Sequence, residues 1–240
     1  MTNQTDQTNQ PKENKRKGFI PFVTRTGEKI ANLFLMQLFF ILYSIKGAIV
    51  LGVFPSIAAM TRTFIDWFIL EDAIQIHPTF KDNWSKHFKK ANLVGYTLLL
   101  AFGFLYFDLR INEQFIQSPA LHTLLLVILF ILGFLTVYTF PILVGHGLSY
   151  KDIFKQSFFV SLSTPLSTIA AVLGVVLAFE LSRHVIFIGL FFGVPLIILP
   201  LAWFPYNGLK KIEELKDEFK KEDEKKQKKK EKEKVNTDDV

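Results

Sequence analysis

Few residues of this chain combine a reactive side chain with the spacing that catalysis or metal binding needs. The 5 histidines never lie three or four residues apart, so the paired histidines of a helical zinc site are absent from the sequence. The chain has 0 cysteines, which excludes disulfides, thiolate nucleophiles and cysteine-based metal sites. No Ser/His/Asp set or pair of acids stands at a predicted helix end, so we expect no enzyme activity, no cofactor and no metal.

The charged residues that could act together stand at the borders of apolar stretches. Arg62 and Asp66 are one helical turn apart, which fits either a local ion pair, the favoured interpretation, or a charged pair that lines a cavity. A second set stands at the ends of apolar stretches on the predicted outer side and forms a candidate polar rim. The favoured interpretation is that these residues are interfacial anchors, and the alternative is that they line a vestibule for a sugar-like or ionic solute. Its members are Lys46, Asp108, Arg110, Glu180 and Arg183.

The elements that position these residues are predicted from composition and apolar runs. Half of the residues are hydrophobic and 26 are phenylalanine, more apolar surface than a water-soluble chain of this size can bury. We therefore predict an all-α, polytopic transmembrane helical bundle of about six spans. Five spans are strongly apolar, whereas Gly52 and Pro55 weaken the one near 48–70. The spans lie near 27–45, 48–70, 93–109, 121–144, 157–179 and 185–205.

The flanking segments differ in composition from the transmembrane domain, residues 27–209. Residues 1–26 are polar and basic and are predicted to be disordered, and residues 210–240 form a charged Lys/Glu-rich tail. Near 79–92, aromatic residues recur every fourth position with lysines between them. This pattern fits an amphipathic helix in the inner membrane interface, facing anionic lipids, or equally a helix packed against the bundle.

The distribution of basic residues predicts the orientation of the spans. With six spans, 25 Lys and Arg residues share one side and 3 lie opposite, so we expect both termini in the cytoplasm of a bacterial cell and a multi-pass plasma membrane protein. Cysteines at Asn112 and Ser182 should then react from outside, and one at Ser149 should not. The tail after Tyr206 mixes 12 lysines with 11 acids, which argues against nucleic-acid binding.

Small residues indicate where helices pack closely. They recur at intervals of four in the fifth and sixth spans, a spacing that lets two helix backbones approach. Packing between these spans within one chain is favoured over dimerisation, and the oligomeric state stays open. The candidate packing residues are Ala170, Gly174, Ala178, Gly189 and Gly193.

Two motifs identify a family resemblance. Residues 52–60 read Gly-Val-Phe-Pro-Ser-Ile-Ala-Ala-Met, and residues 88–95 read Phe-Lys-Lys-Ala-Asn-Leu-Val-Gly, with an Arg-bearing helix that ends at Trp67 between them. Together they resemble the YesL family of bacterial integral membrane proteins. The resemblance implies a domain of unknown function, often found beside carbohydrate-uptake systems, and supplies no catalytic residues. The tail after Tyr206 lies outside the pattern.

Three classes of function remain at this point. The resemblance favours an accessory or interaction protein of a carbohydrate-uptake or cell-envelope system, with a membrane transport complex as its partner. A small-solute transporter or channel is the alternative, but the middles of the four clearest spans carry no charge. A membrane enzyme is the least favoured class.

Overall fold

The computed structural model describes residues 10–70, 74–145 and 147–238, with side chains from residue 26 to residue 220. The described chain is all-α. Seven α-helices follow one another: α1 Gln10–Lys46, α2 Val53–Leu70, α3 Ile76–Ile111, α4 Pro119–Gly145, α5 Tyr150–Ser163, α6 Pro165–His184 and α7 Ile186–Asp238. A short π-helical turn, Asn112–Ile116, continues α3.

Six helical segments are long and apolar enough to cross a membrane, in agreement with the predicted bundle. They are Thr26–Lys46, Val53–Leu70, Ile76–Ile116, Pro119–Gly145, Pro165–His184 and Ile186–Lys220. Many large apolar side chains on α1, α3, α4, α6 and α7 are exposed on the outside of the bundle, as lipid-facing surfaces would be. The described chain is therefore a multi-pass membrane protein.

Helices α2 and α3 form the centre of the bundle and run antiparallel. The start of α2 lies against the middle of α3, where an added Cβ at Gly95 would meet the Phe54 ring. Small and mid-sized residues of α2, including Ala58, Ala59 and Met60, are fully buried. The end of α2 then reaches the first turns of α3, so these two helices set the position of every side chain that either one carries.

The α1–α2 turn, residues 47–52, is unusually tight. Ile49 N–H donates to the Ser44 carbonyl at 2.8 Å, and Ala48 and Ile49 adopt left-handed backbone angles, with φ of 55° and 61°. The Asn92 side chain donates to the Leu51 carbonyl at 2.9 Å, which fixes the turn against α3. The whole turn therefore lies beside the segment where the apolar part of α3 begins.

Three predicted boundaries differ in the structure. The predicted fifth span, 157–179, is broken at Thr164, because Pro165 has no N–H and disfavours helical angles at the preceding residue. Residues 150–163 form α5, and the candidate span begins at Pro165. The helix backbone also extends into both predicted tails, from Gln10 and to Asp238, because propagating an existing helix costs little. Residues 1–9 of the predicted disordered segment, and residues 239 and 240, lie outside the described residues.

The predicted interfacial helix near 79–92 is continuous with the third span. Phe80 is fully buried, and its ring centroid lies 5.4 Å from that of Tyr43 in α1. The Trp84 ring also lies 5.4 Å from Tyr43. These aromatic side chains pack on α1, which is the second of the two interpretations that the sequence left open.

The candidate packing residues lie where α6 and α7 run side by side. An alanine Cβ at Gly174 would lie 2.6 Å from the Pro200 Cβ, and one at Gly189 would lie 2.6 Å from the Ser182 carbonyl oxygen. Gly193 faces the Ser182 hydroxyl, and Ala170 and Ala178 are half-buried on α6. The close approach therefore joins two helices of the same chain.

We expect Gly174→Ala to lower the thermal unfolding temperature in detergent. Alanine favours the helix by about 0.5–1 kcal/mol, but the contact with the stiff Pro200 ring forces α6 and α7 apart, which costs about 1–3 kcal/mol. Gly103→Ala is the matched control, because a Cβ built there meets no described atom within 4 Å. Equal unfolding temperatures for the two variants would contradict close packing at Gly174.

Candidate functional site

A polar cleft of about 700 Å³ lies between α2, the first half of α3 and the end of α4. Charged side chains of α2 and α3 converge in it on the end of α4. Its position follows from the sequence pattern of α3 and α4. The charged first part of α3 ends at Lys90, and α4, which has no Asp, Glu, Lys or Arg, ends at Gly145, so the cleft lies where the apolar segments of these two helices meet charged sequence.

Arg62 forms the α2 wall of the cleft. Its Nη2 atom lies 2.8 Å from Asp66 Oδ1, and its Nη1 atom donates to the Val144 carbonyl at 3.3 Å. Val144 is in the last turn of α4, where carbonyl groups lack partners within the helix and attract positive charge. Arg62 therefore both pairs with Asp66 and links α2 to α4. The two interpretations of the Arg62–Asp66 pair coexist, since the pair is local and also lines a cavity.

The α3 wall carries a row of basic side chains. Lys89 and Lys90 follow Lys86 by three and four residues, and Asp82 precedes it by four, so all four lie on one side of the helix and line the cleft. Lys90 Nζ donates to the Leu148 carbonyl at 2.8 Å, which ties α3 to the segment after α4. Lys86 and Lys89 are exposed, and no acidic group of the described chain pairs with them. Their ammonium groups are available to a ligand.

His87 lies deeper in the same wall. Its side chain is 8% exposed, and its Nε2 atom is buried without a hydrogen-bond partner in the described structure. The neighbouring Asn83 is equally buried, but its amide donates to the Thr79 carbonyl at 2.8 Å. A buried polar atom without a partner costs about 1–3 kcal/mol. A ligand in the cleft that His87 turns to meet would supply the missing partner.

Four residues of the predicted rim lie at the ends of α3 and α6, whereas Lys46 lies far from Arg110. Arg110 pairs with Glu113 at 3.2 Å at the end of α3, and Glu180 pairs with Arg183 at 3.6 Å at the end of α6. Asp108 is half-buried near the end of α3. Lys46 lies instead over the Trp84 ring, 5.3 Å from its centroid. Trp84 and Arg110 are 26 residues apart on one helix, or about 39 Å.

This position of Lys46 corrects the sidedness assigned from the sequence. Lys46 was assigned to the outer face and the segment 79–92 to the inner interface, yet Lys46 and Trp84 are in contact. The two faces of a bilayer are separated by a hydrocarbon core of about 30 Å. The two assignments therefore cannot both be correct. Counting charges by loop fails here because it carries no information on which loops pack together.

The sequence predicts only two of the residues that line the cleft as a candidate site, Arg62 and Asp66. It predicts the lysines of the α3 wall as the polar side of an interfacial helix, and it does not single out His87. Lys86 precedes Lys89 by three residues and Lys90 by four, and His87 precedes Lys90 by three, spacings that indicate a common helix face. The part of α4 in the cleft could not be predicted from residue types, because α4 contributes the backbone carbonyl of Val144.

We expect Arg62→Ala to destabilise the fold by about 1–3 kcal/mol, because it leaves the half-buried Asp66 carboxylate and the Val144 carbonyl without their charged partner. Thermal unfolding in detergent measures this effect. Arg110→Ala is the matched control, since its pair with Glu113 is exposed and such pairs contribute about 0–1 kcal/mol. A loss of stability no greater than that of the control would show that the link between α2 and α4 is energetically unimportant.

The fold and the cleft define the class of protein: a multi-pass helical membrane protein with a charged cleft beside its apolar segments. Residues 33–109 match the model of a family described as "Protein of unknown function, DUF624". This match contains α2, most of the apolar end of α1 and nearly all of α3. It therefore includes the α2 and α3 walls of the cleft.

Three proteins of Bacillus subtilis (strain 168) are similar to the chain. Uncharacterized protein YesL is 26% identical over 192 residues, which is 80% of this chain and 91% of YesL. Uncharacterized protein YesV is 26% identical over 72% of this chain and 84% of its own length. Uncharacterized protein YteU is 28% identical over 74% and 81%. No solved structure matches.

These similarities support a YesL-like family for this chain, and the resemblance predicted from residues 52–60 and 88–95 is confirmed. The family carries no assigned activity. What the protein does must therefore be argued from its own side chains.

Proposed function

We propose that the protein is an accessory or interaction protein of the bacterial plasma membrane, serving a carbohydrate-uptake or cell-envelope system. The observation that carries this proposal is the form of α7. It runs as one 53-residue helix from the last candidate span into a charged segment, residues 210–238, called here the C-terminal arm. From Lys210 to Lys220 nearly all side chains of the arm are exposed. A charged helix fixed to a membrane span is suited to contact a partner protein.

The distribution of charge supports an interaction role over a catalytic one. The span α4 carries no Asp, Glu, Lys or Arg, α6 carries none before Glu180, and α7 carries none between Ile186 and Leu209. The charges that converge in the cleft form ion pairs and basic groups, without a nucleophile beside a base. The proposal therefore includes no enzymatic activity. The link to carbohydrate uptake rests on the resemblance to the YesL family alone.

Co-purification from native membranes tests the proposal. Tagged full-length protein and a variant that ends after Lys211 are isolated under mild detergent, and the recovered proteins are identified by mass spectrometry. We expect a membrane transport or envelope component with the full-length protein and its loss with the shortened variant. The variant keeps Tyr206 and Leu209, which pack on the core, so its unfolding temperature should be unchanged.

Recovery of the same proteins with both forms would show that the C-terminal arm is not needed for the interaction. Recovery of no such component with either form would count against the accessory role itself.

The alternative is a small-solute transporter, and one observation favours it. The Arg62–Asp66 pair is half-buried between helices and faces a cavity of about 700 Å³, large enough for a small polar solute. Solute uptake into proteoliposomes that contain only this protein would establish the alternative, and uptake that is abolished by Asp66→Asn would assign it to this pair.

A further inference from the structure

We propose that the cleft between α2, α3 and α4 is a binding site for a phosphate monoester. This inference goes beyond the proposed function and is independent of it, since it concerns the cleft and not the C-terminal arm. It rests on the charges, the available donors and the position of the cleft.

The charges of the cleft favour an anion. Four basic side chains line it, Arg62, Lys86, Lys89 and Lys90, against the two acids Asp66 and Asp82. The cleft thus carries two more positive than negative charges. A phosphate monoester carries a charge of about −1.5 to −2 near neutral pH, which matches this excess. A carboxylate would neutralise only half of it.

The donors divide into those already engaged and those that are available. Arg62 is occupied by Asp66 and by the Val144 carbonyl, and Lys90 donates to the Leu148 carbonyl. These two side chains build the walls. Lys86 and Lys89 have no acidic partner in the described chain, and ammonium groups of this kind bind phosphate oxygens as point charges.

His87 supplies the second, independent observation. Its Nε2 atom is buried and without a partner in the described structure, although the side chain lines the cleft between Lys86 and Lys90 on the same helix face. An imidazole N–H at this atom would donate to a phosphate oxygen and satisfy the buried group. Two ammonium groups are therefore open to a ligand, and a small rotation of the His87 ring toward the cavity would add its unpartnered nitrogen.

Two sources of a phosphate monoester are compatible with the location. The cleft lies where the apolar segments of α3 and α4 meet charged sequence, so the head group of phosphatidic acid could enter it from the bilayer. The cavity is also open to soluble molecules, such as inorganic phosphate or glycerol phosphate. The chemistry recognised is the same in both cases, and the experiment separates them.

The test uses the full-length protein, purified in phosphate-free neutral detergent. Inorganic phosphate and glycerol 3-phosphate are titrated while the unfolding temperature is followed, and a second arm measures binding to nanodiscs of phosphatidylcholine with and without phosphatidic acid. We expect saturable binding of the soluble ligands, of phosphatidic acid, or of both. A shift by the soluble ligands assigns a soluble source, and a response to phosphatidic acid alone assigns a lipid source.

Variants locate the site. Lys86→Gln and Lys89→Gln are expected to weaken binding about tenfold each, the equivalent of one lost charged contact. Both side chains are exposed, so the unfolding temperature without ligand should not change. Lys81→Gln is the matched control, because Lys81 is exposed on α3 and does not line the cleft. The nitrogen chemical shift of His87 should also move when phosphate binds.

The proposal is overturned if neither the soluble ligands nor phosphatidic acid bind, if chloride at the same ionic strength gives an equal response, or if the Lys81 variant loses as much affinity. The co-purification experiment is unaffected by any of these results, because it depends on the C-terminal arm.

Discussion

Replacing Gly52 by alanine is expected to prevent stable folding. A Cβ at this position would lie closer to the Ser44 carbonyl oxygen than any real Cβ contact, and its other close neighbours are also backbone atoms of Ser44. No side chain can rotate away to make room, so the turn between α1 and α2 must open. The cost should reach about 3 kcal/mol or more, at the upper end for overpacking.

The effect extends beyond the turn itself. The Asn92 side chain holds the Leu51 carbonyl, and opening the turn would leave this buried amide without that partner. Yield of monodisperse protein and unfolding temperature in detergent are the measurements. Gly133→Ala in α4 serves as the control, since a Cβ there meets no described atom within 4 Å and alanine should stabilise the helix by about 0.5–1 kcal/mol. Equal behaviour of the two variants would show that the turn is not as tight as described.

The second large effect concerns sidedness. Cysteines at Lys46 and Ser85 are expected to be protected together from an impermeant thiol reagent added outside intact cells, whereas a cysteine at Gln114 should react. Lys46 contacts Trp84, the neighbour of Ser85, and the sequence predicts that the segment 79–92 lies at the inner interface. Gln114 is 30 residues from Trp84 along a nearly continuous helix, or about 45 Å, more than the thickness of the hydrocarbon core.

Gln114 replaces Asn112 as the outer labelling position, because Asn112 is buried and its amide donates to the Ser118 carbonyl at 3.1 Å. Reaction of the Lys46 cysteine together with the Gln114 cysteine would contradict the contact with Trp84. A further cysteine at the exposed Gly27 measures α1 directly. If the Gly27 cysteine is labelled from outside, as the Gln114 cysteine is, α1 crosses the membrane. If it is protected, as the Ser85 cysteine is, α1 does not cross.

The sequence was sufficient for features that depend on neighbours along the chain. Apolar runs predicted the helices, and the spacing of Arg62 and Asp66 predicted an ion pair that the structure has at 2.8 Å. The break at Thr164 also depends on a neighbour along the chain, because Pro165 disfavours helical angles at the residue before it. The orientation of the termini stays a prediction.

Features that depend on distant segments could not be obtained in the same way. The contacts of Arg62 with Val144 and of Lys90 with Leu148 join residues 82 and 58 positions apart, and each uses a backbone carbonyl that any residue could supply. The contact of Lys46 with the Trp84 ring also joins residues that are distant along the chain. Residue types carry no record of such pairings, so the cleft emerges only when α2, α3 and α4 are placed together.

The continuity of α7 fixes a distance as well as a surface. Residues 210–238 continue the helix of the last candidate span without a break, and 29 helical residues extend about 43 Å. A flexible tail of the same length would let a bound partner sample a wide volume close to the bilayer. A continuous helix instead holds its far end at a defined distance from the bilayer. It also transmits any rotation of the span to a partner protein bound at that end.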